Sequence, residues 1–97
     1  MTQAEIKSFV DCMTYEDCNL KWKDKTYWCL GVTHAPVTGT CAIGVWECDP
    51  DTLEFKEELF SFTGRTTEEC MMHFLEDTYW DGKAFCDVAT EMEWIDL

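Results

Sequence analysis

The spacing of apolar residues changes along the chain, and this change limits the folds that the chain can adopt. From Thr2 to Thr14 apolar residues recur every three or four positions, which is typical of one face of a helix. Thr2 and Glu5 have the spacing of a capping box at the start of that helix. From Lys25 onward the spacing becomes two, which is typical of strands. The pattern therefore predicts a helix followed by a sheet, with Tyr15 to Asp24 as a connection.

A hairpin is predicted from the first two strands. The loop from His34 to Gly39 contains the Pro and Gly that favour a turn. In the returning strand, larger apolar residues alternate with a second face made of Ala42, Gly44 and Trp46. The small residues on that second face leave room for a helix or an aromatic ring to lie close to the sheet.

A third strand is predicted after the turn Asp49-Pro50-Asp51, where Pro occupies the position that favours a type I turn. The apolar residues of this strand change sides near Glu57, which predicts a bulge there. The strand ends before Arg65. Because all the connections are short, the three strands are expected to form an antiparallel meander.

The last third of the chain predicts two more helices. Thr66 and Glu69 repeat the capping-box spacing, and the segment Tyr79 to Gly82 is expected to end the second helix with Gly82 as a left-handed cap. Apolar residues from Phe85 to Ile95 form another helical stripe. An extra strand from Thr90 to Leu97 is the alternative for the end of this segment.

These elements indicate an α+β fold in the order α-β-β-β-α-α, a three-stranded antiparallel sheet flanked by helices. The 97 residues leave room for one domain, residues 1–97. Hydrophobic residues make up 46% of the chain, which is enough for a packed interior. A sheet this small must bury one face, and the helices are expected to cover it.

The seven cysteines favour free thiols in a reducing compartment. Their number is odd, and the start of the chain lacks the pattern of a signal peptide, so we expect a cytoplasmic protein. No two cysteines have the close spacing of structural zinc ligands. Cys29, His34 and Cys41 could converge across the hairpin, but a fourth ligand is missing. We therefore expect no metal, no other cofactor and no membrane span.

No motif in the chain indicates catalysis. His34 and His73 have no sequence partner that would fix a role as a base, and glycine-rich phosphate loops are absent. The segment Asp77 to Gly82 resembles the start of a calcium loop, but two of the required ligand positions do not match. We expect a protein that is not an enzyme.

Charge is the strongest functional signal. Twenty acidic residues face seven basic ones, and the net charge is −13. A field of this sign repels nucleic acid and anionic membranes and attracts basic surfaces. Solubility needs a net charge of magnitude only about 2–8. The sequence therefore predicts a partner with a Lys/Arg-lined surface and no direct binding of nucleic acid.

Carboxylates at regular spacing on the later elements are the candidate contacts. On a helix, Asp87 and Glu91 would lie one turn apart, about 6 Å, a spacing comparable to the roughly 3.4 Å between successive charges along one nucleic-acid strand. Trp80 and Trp94 lie near these acids and are expected to be exposed interface anchors. The candidate partner-binding residues are Glu54, Glu58, Glu69, Glu76, Asp77, Asp81, Asp87, Glu91 and Glu93.

In size, acidity and element order the chain resembles the small acidic anti-CRISPR proteins of phages and prophages. That resemblance extends over the whole chain, but no signature motif carries it. It implies a DNA mimic that occupies the DNA path of a CRISPR surveillance complex, such as that of type I-F, in the cytoplasm of a host bacterial cell.

Two other functions stay open. The protein could be an acidic regulatory adaptor that binds a basic partner unrelated to CRISPR, or a small thiol or metal module.

Overall fold

The computed structural model describes residues 1–96 and has an α+β fold. A five-stranded antiparallel sheet in the order β4-β3-β2-β1-β5 carries the helices on one face. The fold class agrees with the prediction, but the predicted number of three strands is wrong. The elements are α1 (Gln3–Met13), β1 (Cys18–Trp22), β2 (Lys25–Ala35), β3 (Thr40–Cys48), β4 (Phe55–Gly64), α2 (Thr67–Glu76), α3 (Phe85–Val88), a 3-10 turn (Ala89–Glu91) and β5 (Glu93–Ile95).

Helix α1 forms where its capping box and apolar stripe predict it. The Thr2 hydroxyl accepts the Glu5 N–H at 3.1 Å, and the Glu5 carboxylate accepts the Thr2 N–H at 2.9 Å. These two bonds satisfy amides that the first turn leaves unpaired. Phe9 and Met13 are fully buried against the sheet. The prediction for this helix is confirmed.

Strand β1 lies inside the stretch that was predicted to be a connection. Cys18, Leu20 and Trp22 alternate toward the core, and the strand pairs with β2 in an antiparallel register. A two-residue turn joins the strands, and both of its residues, Lys23 and Asp24, have positive φ. Hairpin turns of this kind usually contain Gly or Asn. Because Lys23 and Asp24 lack this turn signal, the sequence does not predict the hairpin of β1 and β2.

Strands β2, β3 and β4 form the meander that the sequence predicts. Two irregularities of register, one on each side of Glu57, interrupt the pairing of β3 with β4. The predicted bulge near this residue is thus confirmed. A further irregularity in β2 lies between Leu30 and Thr33. These bulges decide which side chains meet across the sheet, because each extra residue shifts the side chains that follow to the other face.

Helix α2 begins at the predicted cap but ends earlier than predicted. The Thr66 hydroxyl accepts the Glu69 N–H at 3.1 Å. The last helical residue is Glu76, and the chain then becomes extended. Asp81 and Gly82 both have positive φ and form a separate turn in which Trp80 and Lys83 pair. Gly82 is left-handed as expected, but it closes this turn and does not cap the helix.

The final segment departs from the predicted helix. Four residues form α3, a 3-10 turn follows, and Glu93–Ile95 forms β5 on the free edge of β1. The alternative of a strand is confirmed for these three residues; Leu97 lies outside the described residues. The amino group of Met1 donates to the carbonyls of Ala89 and Met92, which holds this segment against the start of the chain.

The two faces of the sheet differ in cover. The helices pack on the face that carries Cys29, Val45 and Phe60. The other face carries half-buried Trp28 and Trp46, which lie opposite each other, and no described helix packs on it. The space expected to hold a helix or ring near residue 44 is a groove of about 250 Å³. Within residues 1–96, no helix has the length and hydropathy needed to cross a bilayer.

Candidate functional site

The nine predicted contact residues do not form one array. Seven are exposed and two, Glu69 and Asp77, are half-buried. The exposed ones come from β4 and its preceding turn, α2, the Asp-Gly turn, α3, the 3-10 turn and β5: Glu54, Glu58, Glu76, Asp81, Asp87, Glu91 and Glu93. The acidic charge is therefore spread over several elements, and no single helix face concentrates it.

Several of the predicted residues have local structural partners. The Glu69 carboxylate accepts the Arg65 N–H at 3.3 Å and completes the turn before α2. Asp77 lies 3.1 Å from the imidazole of His73, whose ring stacks on Phe62. His73 is accordingly half-buried. These interactions explain why Glu69 and Asp77 are poor candidates for contact with a partner.

The predicted one-turn spacing of Asp87 and Glu91 is not formed. Helix α3 ends at Val88, so the two residues lie on different elements. The Glu91 carboxylate accepts the indole N–H of Trp22 at 3.3 Å. The one-turn spacing expected from the sequence requires a continuous α-helix, and the change from α-helix to a 3-10 turn after Val88 prevents it.

Of the two tryptophans predicted as exposed anchors, Trp80 is fully buried and Trp94 is half-buried against the core. Trp80 is 0% exposed, and its ring meets those of Trp22 and Tyr27 edge-on at 5.8 and 5.2 Å. Trp94 is half-buried and packs edge-on against Phe9 at 5.3 Å. Neither residue is available as an anchor.

A cleft that the sequence did not predict joins acidic and aromatic side chains. It has a volume of about 270 Å³ and lies beside the covered face of the sheet, next to the Trp80–Lys83 turn. The residues that line it are Trp22, Lys25, Tyr27, Glu47, Glu57, Glu58, Leu59, Tyr79 and Asp81. We refer to this feature as the acidic cleft. Asp81 and Glu58 are the only two predicted residues that it contains.

Two carboxylates lie opposite each other on neighbouring strands in the acidic cleft. The register pairs Glu47 of β3 with Glu57 of β4, and Tyr27 of β2 with Glu47. The side chain of Glu47 is only 16% exposed, and Lys25 is its one ion-pair partner within residues 1–96, at 3.6 Å. No hydrogen bond to the Glu47 carboxylate occurs in the same residues. Like charges directly opposite on adjacent strands are destabilising, so this pair has a cost in the free protein.

Tyr27, a largely buried residue, provides a hydroxyl that opens into the same cleft. The residue is 5% exposed, and its hydroxyl has no hydrogen-bond partner in the part of the chain that the structure describes. Burial, together with the carboxylates of Glu47, Asp81 and Glu57, raises the pKa of Tyr27 to about 12. The hydroxyl is therefore protonated at neutral pH and lies near three negative charges.

The side chain of Lys23 contacts two residues that line the acidic cleft. The ammonium of Lys23 lies 4.5 Å from the centre of the Trp22 ring and forms an ion pair with Asp81 at 3.0 Å. A cation above an aromatic face is attracted by the ring electrons. Both side chains of this ion pair are more than half exposed, so a competing cation can replace the lysine. The arrangement of rings and carboxylates is suited to binding positive groups.

The candidate metal ligands do not converge. His34 Nδ1 lies 3.1 Å from Cys41 Sγ, but Cys29 pairs with Val45 and lies elsewhere on the sheet. Within residues 1–96, no three His, Cys, Asp or Glu side chains form a metal-binding group. In the segment Asp77 to Gly82, which resembles the start of a calcium loop, Asp77 is the C-cap residue of α2, and it belongs to no metal-binding group within residues 1–96.

The seven cysteines are free thiols, and only Cys86 is exposed. Burial raises the pKa of Cys18 and Cys29 well above the usual value, and the neighbouring thiols and carboxylates add to the effect. A thiol is nucleophilic only as the thiolate. The buried cysteines are therefore packed as small apolar side chains and are unreactive.

No protein-family model, curated protein or solved structure matches this chain, so its own residues carry the functional argument. The sequence did contain one signal of the acidic cleft, the mixture of aromatic and charged residues from Trp22 to Tyr27. The partners from β3 and β4 depend on the strand register, and two bulges set that register. Sequence reasoning missed Glu47 and Glu57 for this reason.

Proposed function

We propose that the protein is an inhibitor that binds a basic nucleic-acid-binding machine and excludes nucleic acid from it, without catalysis. The observation that carries this proposal is the uncompensated charge. Twenty acidic residues face seven basic ones, and only two lysine–carboxylate ion pairs form within residues 1–96. Most carboxylates are therefore not neutralised by a basic side chain of the same protein.

Such a field favours association with a Lys/Arg-lined channel. Opposite potentials speed encounter, and their effect declines as salt rises because the Debye length shortens to about 8 Å at physiological ionic strength. Nucleic acid binds the same kind of channel mainly through its phosphates. A compact protein of net charge −13 competes for the same lysines and arginines.

The partner that fits best is a CRISPR surveillance complex, such as that of type I-F, in the cytoplasm of a host bacterium. This choice follows from the resemblance to acidic anti-CRISPR proteins. The carboxylates that remain free for contact are spread around the molecule. The protein would therefore imitate DNA through its overall negative charge and its shape more than through carboxylates at the spacing of phosphates. Of the nine candidates, Glu54, Glu58, Glu76, Asp87 and Glu93 have no side-chain hydrogen bond or ion pair within residues 1–96.

An adaptor that binds a basic partner without displacing nucleic acid is the second candidate. The open face of the sheet favours a protein partner of some kind, because Trp28 and Trp46 pack there with Phe55, which is 44% exposed. Aromatic residues are frequent anchors at protein interfaces. Contacts of this kind would leave a part of the affinity that does not depend on salt.

The experiment is a binding measurement between the protein and purified surveillance complex across a salt series. The expected result is an affinity that falls steeply as salt rises. The double variant Asp87→Asn/Glu93→Gln should bind more weakly, while its circular dichroism spectrum stays unchanged. A control with the same change of net charge, Ser8→Lys/Val37→Lys, separates local contact from total charge. Affinity that is independent of salt and of both double variants would contradict the proposal.

A further inference from the structure

The acidic cleft contains carboxylates that accept no hydrogen bond within the described residues. Glu47 is largely buried and has one loose ion pair, at 3.6 Å. Its cross-strand neighbour Glu57 carries the same charge. A buried carboxylate without hydrogen-bond donors is costly, and the repulsion between the two adds to that cost. A ligand that brings a positive charge and several N–H donors would remove both costs together.

The hydroxyl of Tyr27 is a second and independent sign of a ligand. The side chain is 95% removed from solvent and lines the acidic cleft. The hydroxyl oxygen keeps some contact with solvent in the acidic cleft, and it has no hydrogen-bond partner in the described residues. Because the hydroxyl lies among carboxylates, a donor from outside the chain is the partner that fits it.

The walls of the acidic cleft suit a flat cation. Trp22 and Tyr79 contribute aromatic rings, and Lys23 already makes a cation–ring contact at 4.5 Å with Trp22. A guanidinium group is planar, stacks on aromatic faces and is more weakly hydrated than an ammonium. It also has five N–H donors in a fixed fork, enough to bridge carboxylates on two strands about 4.8 Å apart.

We infer that the acidic cleft is a binding site for one guanidinium group, supplied by an arginine side chain of a partner protein. Glu47 and Glu57 accept its N–H donors, the Tyr27 hydroxyl accepts a further one, and the Trp22 ring covers a face of the group. That the guanidinium comes from a partner protein rests on the proposed function; that the acidic cleft binds guanidinium does not.

Removal of the Lys25 charge should change the affinity for arginine in a direction and by an amount that a nonspecific acidic surface does not predict. Its ammonium contacts Glu47 and lines the acidic cleft, so it competes with the incoming guanidinium. Lys25→Gln should therefore strengthen binding of arginine several-fold. A general increase in negative charge elsewhere, as in Lys7→Gln on α1, should change it much less.

The probe is N-acetyl-arginine amide, titrated into the full chain while the indole N–H signal of Trp22 is followed by nuclear magnetic resonance. The citrulline analogue, which has the same shape without the charge, is the ligand control. Glu47→Gln and Glu57→Gln should each weaken binding by about tenfold or more, as expected for loss of charge-assisted hydrogen bonds. The variant Glu68→Gln, at an exposed acid on α2, should leave it within about twofold.

Glu57 is exposed, so Glu57→Gln keeps the test valid if Glu47→Gln fails to fold. Equal shifts with arginine and citrulline amides, or equal weakening by Glu68→Gln, would overturn the site. Binding of Glu57→Gln to the purified surveillance complex then identifies the source of the guanidinium. If Glu57→Gln binds both the arginine amide and the complex more weakly, the guanidinium comes from an arginine of the partner. If it binds only the amide more weakly, the inference that the partner supplies the guanidinium is wrong. Failure of the proposed function looks different, because the complex then keeps its duplex while the acidic cleft still binds arginine amide.

Discussion

Replacing Glu57 by arginine should stabilise the protein and place the guanidinium of the new side chain in the acidic cleft. Glu57 lies directly opposite Glu47, so the wild type has two like charges across neighbouring strands. Cross-strand charge pairs contribute roughly 0.2–1 kcal/mol each, with like charges unfavourable. Glu57→Arg removes one repulsion and adds one attraction, so the free energy of unfolding should rise by about 1 kcal/mol.

The assay for Glu57→Arg is thermal and urea unfolding compared with wild type. For a domain of this size, 1 kcal/mol corresponds to a rise in Tm of roughly 4–8 °C. The control is Glu54→Arg, which changes the net charge equally but lies before β4 and has no cross-strand carboxylate. If Glu57→Arg is no more stable than Glu54→Arg, the repulsion between the paired carboxylates is not real.

The same variant should also lose binding of N-acetyl-arginine amide, because its own guanidinium occupies the site. Gain of stability with loss of binding is the trade-off expected where a site keeps unfavourable charges for a ligand. Stabilisation without loss of arginine binding would place the ligand elsewhere.

Three further predictions concern the fold. Gly31→Ala should destabilise the protein by several kcal/mol in urea unfolding, because a Cβ there would overlap the backbone carbonyl oxygen of Glu16. Gly82→Ala, whose Cβ meets open space at positive φ, should cost only about 1 kcal/mol. Equal costs would contradict the close approach at Gly31. The hydrogen bond from the Thr2 N–H lowers the pKa of Glu5, so its stabilisation is present above the unfolded value and is lost as pH falls through the folded one. The difference in Tm between wild type and Glu5→Gln should accordingly vanish between about pH 5 and pH 3. Thiol titration of native protein should detect Cys86 alone, against seven thiols after unfolding; rapid reaction of several native thiols would contradict the packing of the others.

Local signals in the sequence were sufficient for the helices that begin with a cap. Thr2 and Thr66 each satisfy an amide three residues later, and such bonds depend only on residues near in sequence. The hairpin from Lys25 to Cys48 was likewise predictable, because its alternation and its turn residues agree. These parts of the fold need no knowledge of distant neighbours.

The parts that were missed depend on contacts between distant segments. Strand β5 has three residues and exists because β1 offers a free edge. The register that brings Glu47 to Glu57 depends on bulges whose positions the sequence indicates only roughly. Trp80 was predicted to be exposed because acids surround it in the sequence, but in the structure it is buried against Trp22 and Tyr27. Charge near an aromatic residue in sequence therefore does not predict its exposure.

The proposed function requires that the protein and nucleic acid exclude each other from one basic channel. A competition assay tests this exclusion: surveillance complex is loaded first with the protein and is then offered labelled target duplex across a salt series. Wild-type protein should abolish duplex binding at low salt, and the block should weaken steeply as salt rises because screening shortens the range of the field. Asp87→Asn/Glu93→Gln should block less well than wild type at each salt concentration. If the complex holds inhibitor and duplex together, or if the block does not change with salt, the protein does not act as an acidic mimic of DNA.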